Sequence, residues 1–145
     1  VTGCLGRMGQ QIIKSAYLDK NFSIVTLTEN KVSKKKIKGI LIETNSEKSL
    51  AKADIIIDFS HPKCTLDVLK ISAKLNKRVV IGTTGFTKKE EFLIKKYSKK
   101  IAILKAGNMS LGINLLMYIT EITAASLGNF DPTLLINIVS QNFWY

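Results

Sequence analysis

The chain has 145 residues, 46% of them apolar and 23% charged, enough length and apolar material for one packed core and too little polarity for intrinsic disorder. No apolar run reaches the 18 or so residues of a membrane-spanning helix, Val1-Thr2-Gly3 opens no basic-then-apolar leader, and no membrane partner is expected. Cys4, Cys64 and the single His61 offer neither a disulfide framework nor metal-ligand spacing, so a reducing, cytoplasmic setting without a metal is expected. The net charge of +11 comes mostly from lysine: of 22 basic residues only Arg7 and Arg78 are arginine, the residue that base readout and bidentate phosphate clamping favour. Lys34-Lys35-Lys36 apart, the lysines are scattered. No nucleic-acid partner is expected, though the charge attracts small anions.

Helical and extended periodicities alternate along the chain. Val1-Thr2 reads as the stub of a strand. Met8, Ile12, Ile13, Ala16 and Tyr17 then recur at helical spacing up to Leu18. Phe22 to Leu27 reads as a short strand, Asn30 to Lys38 as a solvated loop, Ile40-Leu41-Ile42 as a minor strand, and Ser49 to Ala53 as a helical turn. Ile55-Ile56-Ile57 has the uninterrupted β-branched character of a buried parallel strand. Pro62 suits the first turn of a helix running to about Leu75. Val79-Val80-Ile81 is a strand, Lys88 to Lys99 a surface helix, and Ile101 to Leu104 another strand. Ser110 caps a helix from Leu111 to Leu127, Gly128 is placed to end it, and Thr133 to Val139 is a closing strand. This alternation predicts an α/β fold with a doubly wound, mostly parallel sheet.

Several turns on one expected sheet edge carry chemistry. Gly3-Cys4-Leu5-Gly6-Arg7-Met8-Gly9 joins the strand stub to an amphipathic helix, the setting in which glycines let backbone N–H groups approach a pyrophosphate at a helix N-terminus. Its spacing is G-x-x-G-x-x-G, with Leu5 where the dinucleotide fingerprint usually has its second glycine; a tight strand-to-helix turn without a ligand has the same pattern. Glu29, twenty residues after Gly9, sits where an acidic residue accepts hydrogen bonds from a ribose, or else is an ordinary loop carboxylate. Its charge opposes the extra phosphate of NADP, while Lys31 and Arg7 offset that charge, so the choice between NAD and NADP stays open with NAD favoured. Asp58-Phe59-Ser60-His61-Pro62, Gly82-Thr83-Thr84-Gly85 and Ala106-Gly107-Asn108-Met109-Ser110 follow later strands on the same edge, where open parallel sheets bind ligands.

His61 is the one side chain suited to acid–base work near neutral pH, with Asp58 as its prospective partner, and it equally fits a helix-entry turn beside Pro62. Cys4 and Cys64 read as packing residues. Phe143, Trp144 and Tyr145 resemble an interrupted core or interface and suggest no chemistry.

The ordered set of Gly-Arg-Met-Gly within Gly3 to Gly9, Asp58-Phe59-Ser60-His61-Pro62, Gly82-Thr83-Thr84-Gly85-Phe86 and Asn108-Met109-Ser110-Leu111-Gly112 resembles the dihydrodipicolinate reductase family, from Val1 to about Gly128. The resemblance implies a Rossmann-like domain over residues 1–128 that binds NADH or NADPH. Gly3, Gly6, Arg7, Met8 and Gly9 would hold the pyrophosphate and Glu29 the ribose. Gly82, Thr84, Asn108 and Met109 would surround the nicotinamide, with Phe59 also binding the cofactor and Thr84 also touching substrate. It further implies hydride transfer to a cyclic dicarboxylate in diaminopimelate and lysine synthesis, by a homotetramer in the full-length family.

In that family a second, α+β substrate domain supplies a His-His-x-x-x-Lys stretch and an Asp-Ala-Pro-Ser-Gly-Thr loop. Residues 129–145 are the start of that substrate and oligomerisation domain or a substitute for it, and Thr133 to Tyr145 contains neither histidine nor lysine. The expectation is therefore a truncated reductase, with no catalytic residue of its own, that binds a dinucleotide without turning over substrate. The alternative is a non-catalytic dinucleotide-binding module or a degenerate remnant.

Overall fold

The structure, a computed structural model, describes residues 1–31 and 33–126. The expected stop at Gly128, the strand from Thr133 to Val139 and the aromatic ending lie outside the described residues. The chain divides into a compact unit Val1–Lys105 and a second unit beginning at Ala106.

The first unit contains helix α1 (Arg7–Leu18), strands β1 (Leu27–Glu29), β2 (Lys36–Ile37) and β3 (Ile40–Thr44), the single turn of α2 (Glu47–Leu50), β4 (Ile55–Asp58), α3 (Pro62–Lys74), β5 (Arg78–Ile81), α4 (Lys88–Tyr97) and β6 (Ile103–Lys105). β1 and β3 pair in parallel, as do β4 with β5 and β5 with β6. Thr2 joins the two halves through parallel bridges to Thr28 and to Asp58. Counting this stub as the first strand and leaving aside β2, the lateral order is 3-2-1-4-5-6. The order reverses between the stub and β4, and a crevice opens at the carboxyl ends of strands where such a reversal occurs. The α/β, doubly wound, mostly parallel fold is as expected.

Two apolar clusters hold the unit. Ile56, Val79 and Ile81 pack with Cys64, Val68 and Leu69 of α3 and Ile94 of α4, while Cys4 and Ile13 pack with Leu27 and Ile42. Removing a side chain such as Leu69 or Ile81 from water contributes about 1.5–3 kcal/mol. Cys4 and Cys64 are both buried free thiols, in keeping with their reading as packing residues.

Local chemistry accounts for most boundaries. Thr87 and Glu90 form a capping box at the start of α4, and Pro62 occupies the first turn of α3. α3 ends with Asn76 at φ +53°, and the Lys77 N–H bonds the Ser72 carbonyl at 2.9 Å, a Schellman closure.

Several expectations are corrected. The strand expected from Phe22 to Leu27 is Leu27–Glu29 instead, because parallel pairing begins at Leu27 opposite Ile42; Phe22 and Val25 are exposed. The loop expected over Asn30 to Lys38 contains β2, paired antiparallel to β3 across Lys38-Gly39. Both turn residues have positive φ (+49° and +83°), as a two-residue type I′ hairpin requires. The β-branched run is buried less completely than expected: Ile56 is buried, Ile57 half-buried and Ile55 exposed. Of the expected α1 stripe, Ile13 alone is fully buried, and Met8 and Tyr17 face solvent.

In the second unit α5 (Leu111–Ser126) follows Ser110, whose Oγ accepts the Ile113 N–H at 3.4 Å and caps the helix as expected. No helix among the described residues is long and apolar enough to cross a membrane.

Candidate dinucleotide site

The strand stub turns into α1 through a closed backbone loop. Gly3 adopts φ +68°, and a Cβ there would lie 2.4 Å from the Phe59 carbonyl oxygen. A Cβ on Gly9 would lie 2.2 Å from the Gly3 oxygen. The first and last glycines of the motif thus bring three backbone segments into contact, which any side chain would prevent.

The turn's own amides are engaged within the protein. The Cys4 N–H bonds the Thr28 carbonyl at 3.4 Å, the Leu5 N–H the Glu29 Oε1 at 2.6 Å, and the Gly6 N–H the Gly3 carbonyl at 3.1 Å. The amides of Arg7, Met8 and Gly9 form no hydrogen bond among the described residues. No side chain caps α1 at Gly6, and its first turn has no acidic residue. Unpartnered N–H groups and the positive end of the helix dipole therefore coincide beside the reversal of strand order. The Arg7 and Met8 side chains are exposed at this end.

Beside this turn lies a cleft of about 590 Å³, lined by Gly3, Gly6, Glu29, Asn30, Phe59, Ser60, His61, Lys63, Cys64 and Asp67. Glu29 stands at the end of β1 with one carboxylate oxygen on the turn and Oε2 without a partner among the described residues. Cys4, beneath the turn, has its thiol pushed up to about 11, first by burial and then by the Glu29 charge.

The loops after β4 and β5 meet behind the cleft. The half-buried Phe59 ring covers Gly82, and Thr84 is exposed while its neighbour Thr83 is buried. Asp58, fully buried, accepts hydrogen bonds from the hydroxyls of Thr2, Ser60, Thr65 and Thr83. Sequence reading placed Asp58 only as a prospective partner of His61. The structure turns its carboxylate to these hydroxyls instead. His61 is exposed at the N-cap of α3, without a side-chain hydrogen bond among the described residues.

Gly3, Gly6, Gly9, Glu29, Phe59, Gly82 and Thr84 all lie on the carboxyl edge of the first unit. Asn108 and Met109 belong to the second. Among the described residues no group of three or more His, Cys, Asp and Glu is placed to hold a metal.

Residues 1–109 match the family described as Dihydrodipicolinate reductase, N-terminus. The chain is 66% identical over 127 residues to the 4-hydroxy-tetrahydrodipicolinate reductase of Pelagibacter ubique, covering 88% of this chain and 49% of that protein. It is 37% identical over 149 residues to the enzyme of that name from Aquifex aeolicus, covering 93% and 56%. A solved structure, a dipicolinate-bound dihydrodipicolinate reductase from Paenisporosarcina sp. TG-14, shares the fold with a TM-score of 0.65 at 21% identity, covering 86% of this chain and 52% of that one. The chain spans about half the length of the curated relatives it matches. With residues 1–109 matched and the sheet, turn and loops in place, the chain belongs to the dihydrodipicolinate reductase family and corresponds to its N-terminal part.

Proposed function

We propose that this chain is the nucleotide-binding part of a 4-hydroxy-tetrahydrodipicolinate reductase and binds NADH or NADPH for hydride transfer to a cyclic dicarboxylate in diaminopimelate and lysine synthesis. The observation that carries the reading is the uncapped first turn of α1, with the Arg7, Met8 and Gly9 amides unpartnered beside the cleft. These amides suit a diphosphate, which needs converging donors and a positive field. The Gly3 and Gly6 backbone lets it approach, and the exposed Arg7 and Met8 side chains flank it. Glu29 receives ribose hydroxyls on Oε2, which favours NADH, since a 2′-phosphate would face a carboxylate. Phe59, Gly82 and Thr84 on this unit bound the nicotinamide, and Thr84 also reaches substrate.

When bound, the reduced nicotinamide supplies the hydride, and the protein's share is to hold it in place and shield it. No residue here is assigned as the proton donor. That role and the grip on substrate carboxylates fall to the part of the relatives that these residues do not span, as does the family's tetramer. The cellular setting is the cytoplasm.

Calorimetric titration with NADH tests the reading. Heat of association is expected for the folded chain. Gly6→Asp, which supplies a cap to the same amides and repels phosphate, should keep the fold and abolish that heat. A folded wild-type chain giving no heat overturns the assignment.

A further inference from the structure

We propose that Asp58 is a positioning residue that sets the face of the cleft presented to the nicotinamide, a role that rests on the dinucleotide reading above. Asp58 is the last residue of β4, at the reversal of strand order, and its side chain is fully buried. Its Oδ1 accepts the hydroxyls of Thr2 and of Ser60, the latter at 2.6 Å. Its Oδ2 accepts those of Thr65 at 2.5 Å and Thr83 at 2.9 Å. The four donors come from the strand stub, the loop after β4, the first turn of α3 and the loop after β5.

One of them does more than fill the carboxylate. Thr83 Oγ1, its proton directed at Asp58, accepts the Ser60 N–H at 2.8 Å. The loop after β4 is thereby tied to the loop after β5, with the direction of both hydrogen bonds set by a group that only accepts. Phe59 lies just before this tie and covers Gly82, while Thr84 lies just after it and is exposed. The tie therefore determines where the ring and the hydroxyl stand relative to each other.

A buried carboxylate is a costly way to fill a space that an apolar side chain would fill more stably. What it adds is orientation. Charge-assisted hydrogen bonds are shorter and stronger than neutral ones, and the four hydroxyls can satisfy this acceptor together in one arrangement of the loops. The α1 turn, which takes the diphosphate in the reading above, forms no hydrogen bond to the Asp58 carboxylate among the described residues; of the four donors only Thr2, on the strand stub before it, adjoins it. Loss of the carboxylate should therefore act on the nicotinamide end and spare the adenosine end.

The experiment compares NADH with ADP-ribose, which lacks the nicotinamide, by calorimetry on the whole chain. Asp58→Asn keeps the shape but replaces one accepting oxygen with a donor, and Thr83→Val removes the tie isosterically. Both variants are expected to bind NADH roughly tenfold or more weakly while keeping ADP-ribose affinity within about twofold. Thr83→Ser, which keeps the hydroxyl, restores NADH binding. Should Asp58→Asn fail to fold, the Thr83 pair decides. Unchanged NADH binding in the variants, equal loss of both ligands, or no restoration by Thr83→Ser would overturn the positioning role. A wild-type chain that binds neither ligand would remove the dinucleotide reading itself, a result distinct from all of these.

Discussion

The ring of Phe59 occupies the space that a side chain at Gly82 would need: a Cβ there would stand 2.0 Å from both Cε1 and Cζ of that ring. The clash is with the end of a rotatable side chain, not with backbone, so Gly82→Ala is relieved by swinging the ring away. We expect this variant to fold with a cost of about 1 kcal/mol, read from its thermal midpoint, and to lose NADH affinity because the ring no longer bounds the nicotinamide. Wild-type affinity in a folded Gly82→Ala chain would remove Phe59 and Gly82 from the site.

The glycines of the α1 turn should separate into two kinds. Alanine at Gly9 meets the Gly3 oxygen at 2.2 Å and Cys4 Cα at 2.8 Å, and at Gly3 it meets the Phe59 oxygen at 2.4 Å with φ at +68°. Backbone cannot rotate aside, so either substitution should cost about 3 kcal/mol or more and prevent folding in a marginal domain. Gly6→Ala meets only the Gly3 oxygen at 3.3 Å, and its cost should stay near 1 kcal/mol. Chemical denaturation of the three variants checks the order.

Glu29 links cofactor choice to the turn. Glu29→Gln keeps an oxygen for the Leu5 N–H, now 2.6 Å from Oε1, and removes the charge that opposes a 2′-phosphate. The ratio of NADPH to NADH affinity should rise about tenfold, with little change in thermal stability. Paired titrations with the two nucleotides measure it, and an unchanged ratio would show that Glu29 does not reach the ribose.

The motifs that could be read from sequence are local. Gly3, Gly6 and Gly9 fall within one turn, and Phe59 and Gly82 each follow directly on a β-branched strand, so spacing alone brings them to one edge. Asp58 was not recognised as a hub because its partners Thr2, Thr65 and Thr83 are spread over most of the first unit and meet only after the strands pair. Thr83 shows the same limit: beside Thr84 it looks equivalent, yet one hydroxyl is buried in the tie and the other is exposed. The β2–β3 hairpin escapes a sequence reading because Lys36-Ile37 is too short to alternate and Lys38-Gly39, which takes the positive φ of the turn, is not the Asn-Gly or Asp-Gly pair that marks it. The engagement of the Cys4, Leu5 and Gly6 amides leaves nothing in the glycine spacing to betray it.

Cys4 should be chemically silent in the folded chain. It is fully buried, and burial raises its thiol to about 11, so almost none is thiolate near pH 8. Cys64 is buried too, its thiol raised first by burial. Mass spectrometry after iodoacetamide treatment at pH 8 should find neither cysteine alkylated in the native chain and both alkylated in denaturant. Removing the Glu29 charge by Glu29→Gln should move the Cys4 thiol downward, since that charge is the second cause of its elevation.

Acid should loosen α4 at its start. The Glu90 carboxylate accepts the Thr87 N–H at 2.7 Å and the Thr87 hydroxyl at 2.8 Å, and these bonds, the backbone one first, hold its carboxyl below the ordinary value of 4.5. A carboxyl lowered on folding stabilises the folded state above its unfolded value and loses that contribution as pH falls through the folded value. The cap should therefore be intact at neutral pH and through pH 4.5, and open only at lower pH. The Thr87 amide proton, followed by NMR, should titrate with a midpoint below 4.5 in the native chain and stay flat in Glu90→Gln, whose amide oxygen still accepts but does not ionise. A midpoint at or above 4.5 would mean that the capping box does not hold the carboxylate in solution.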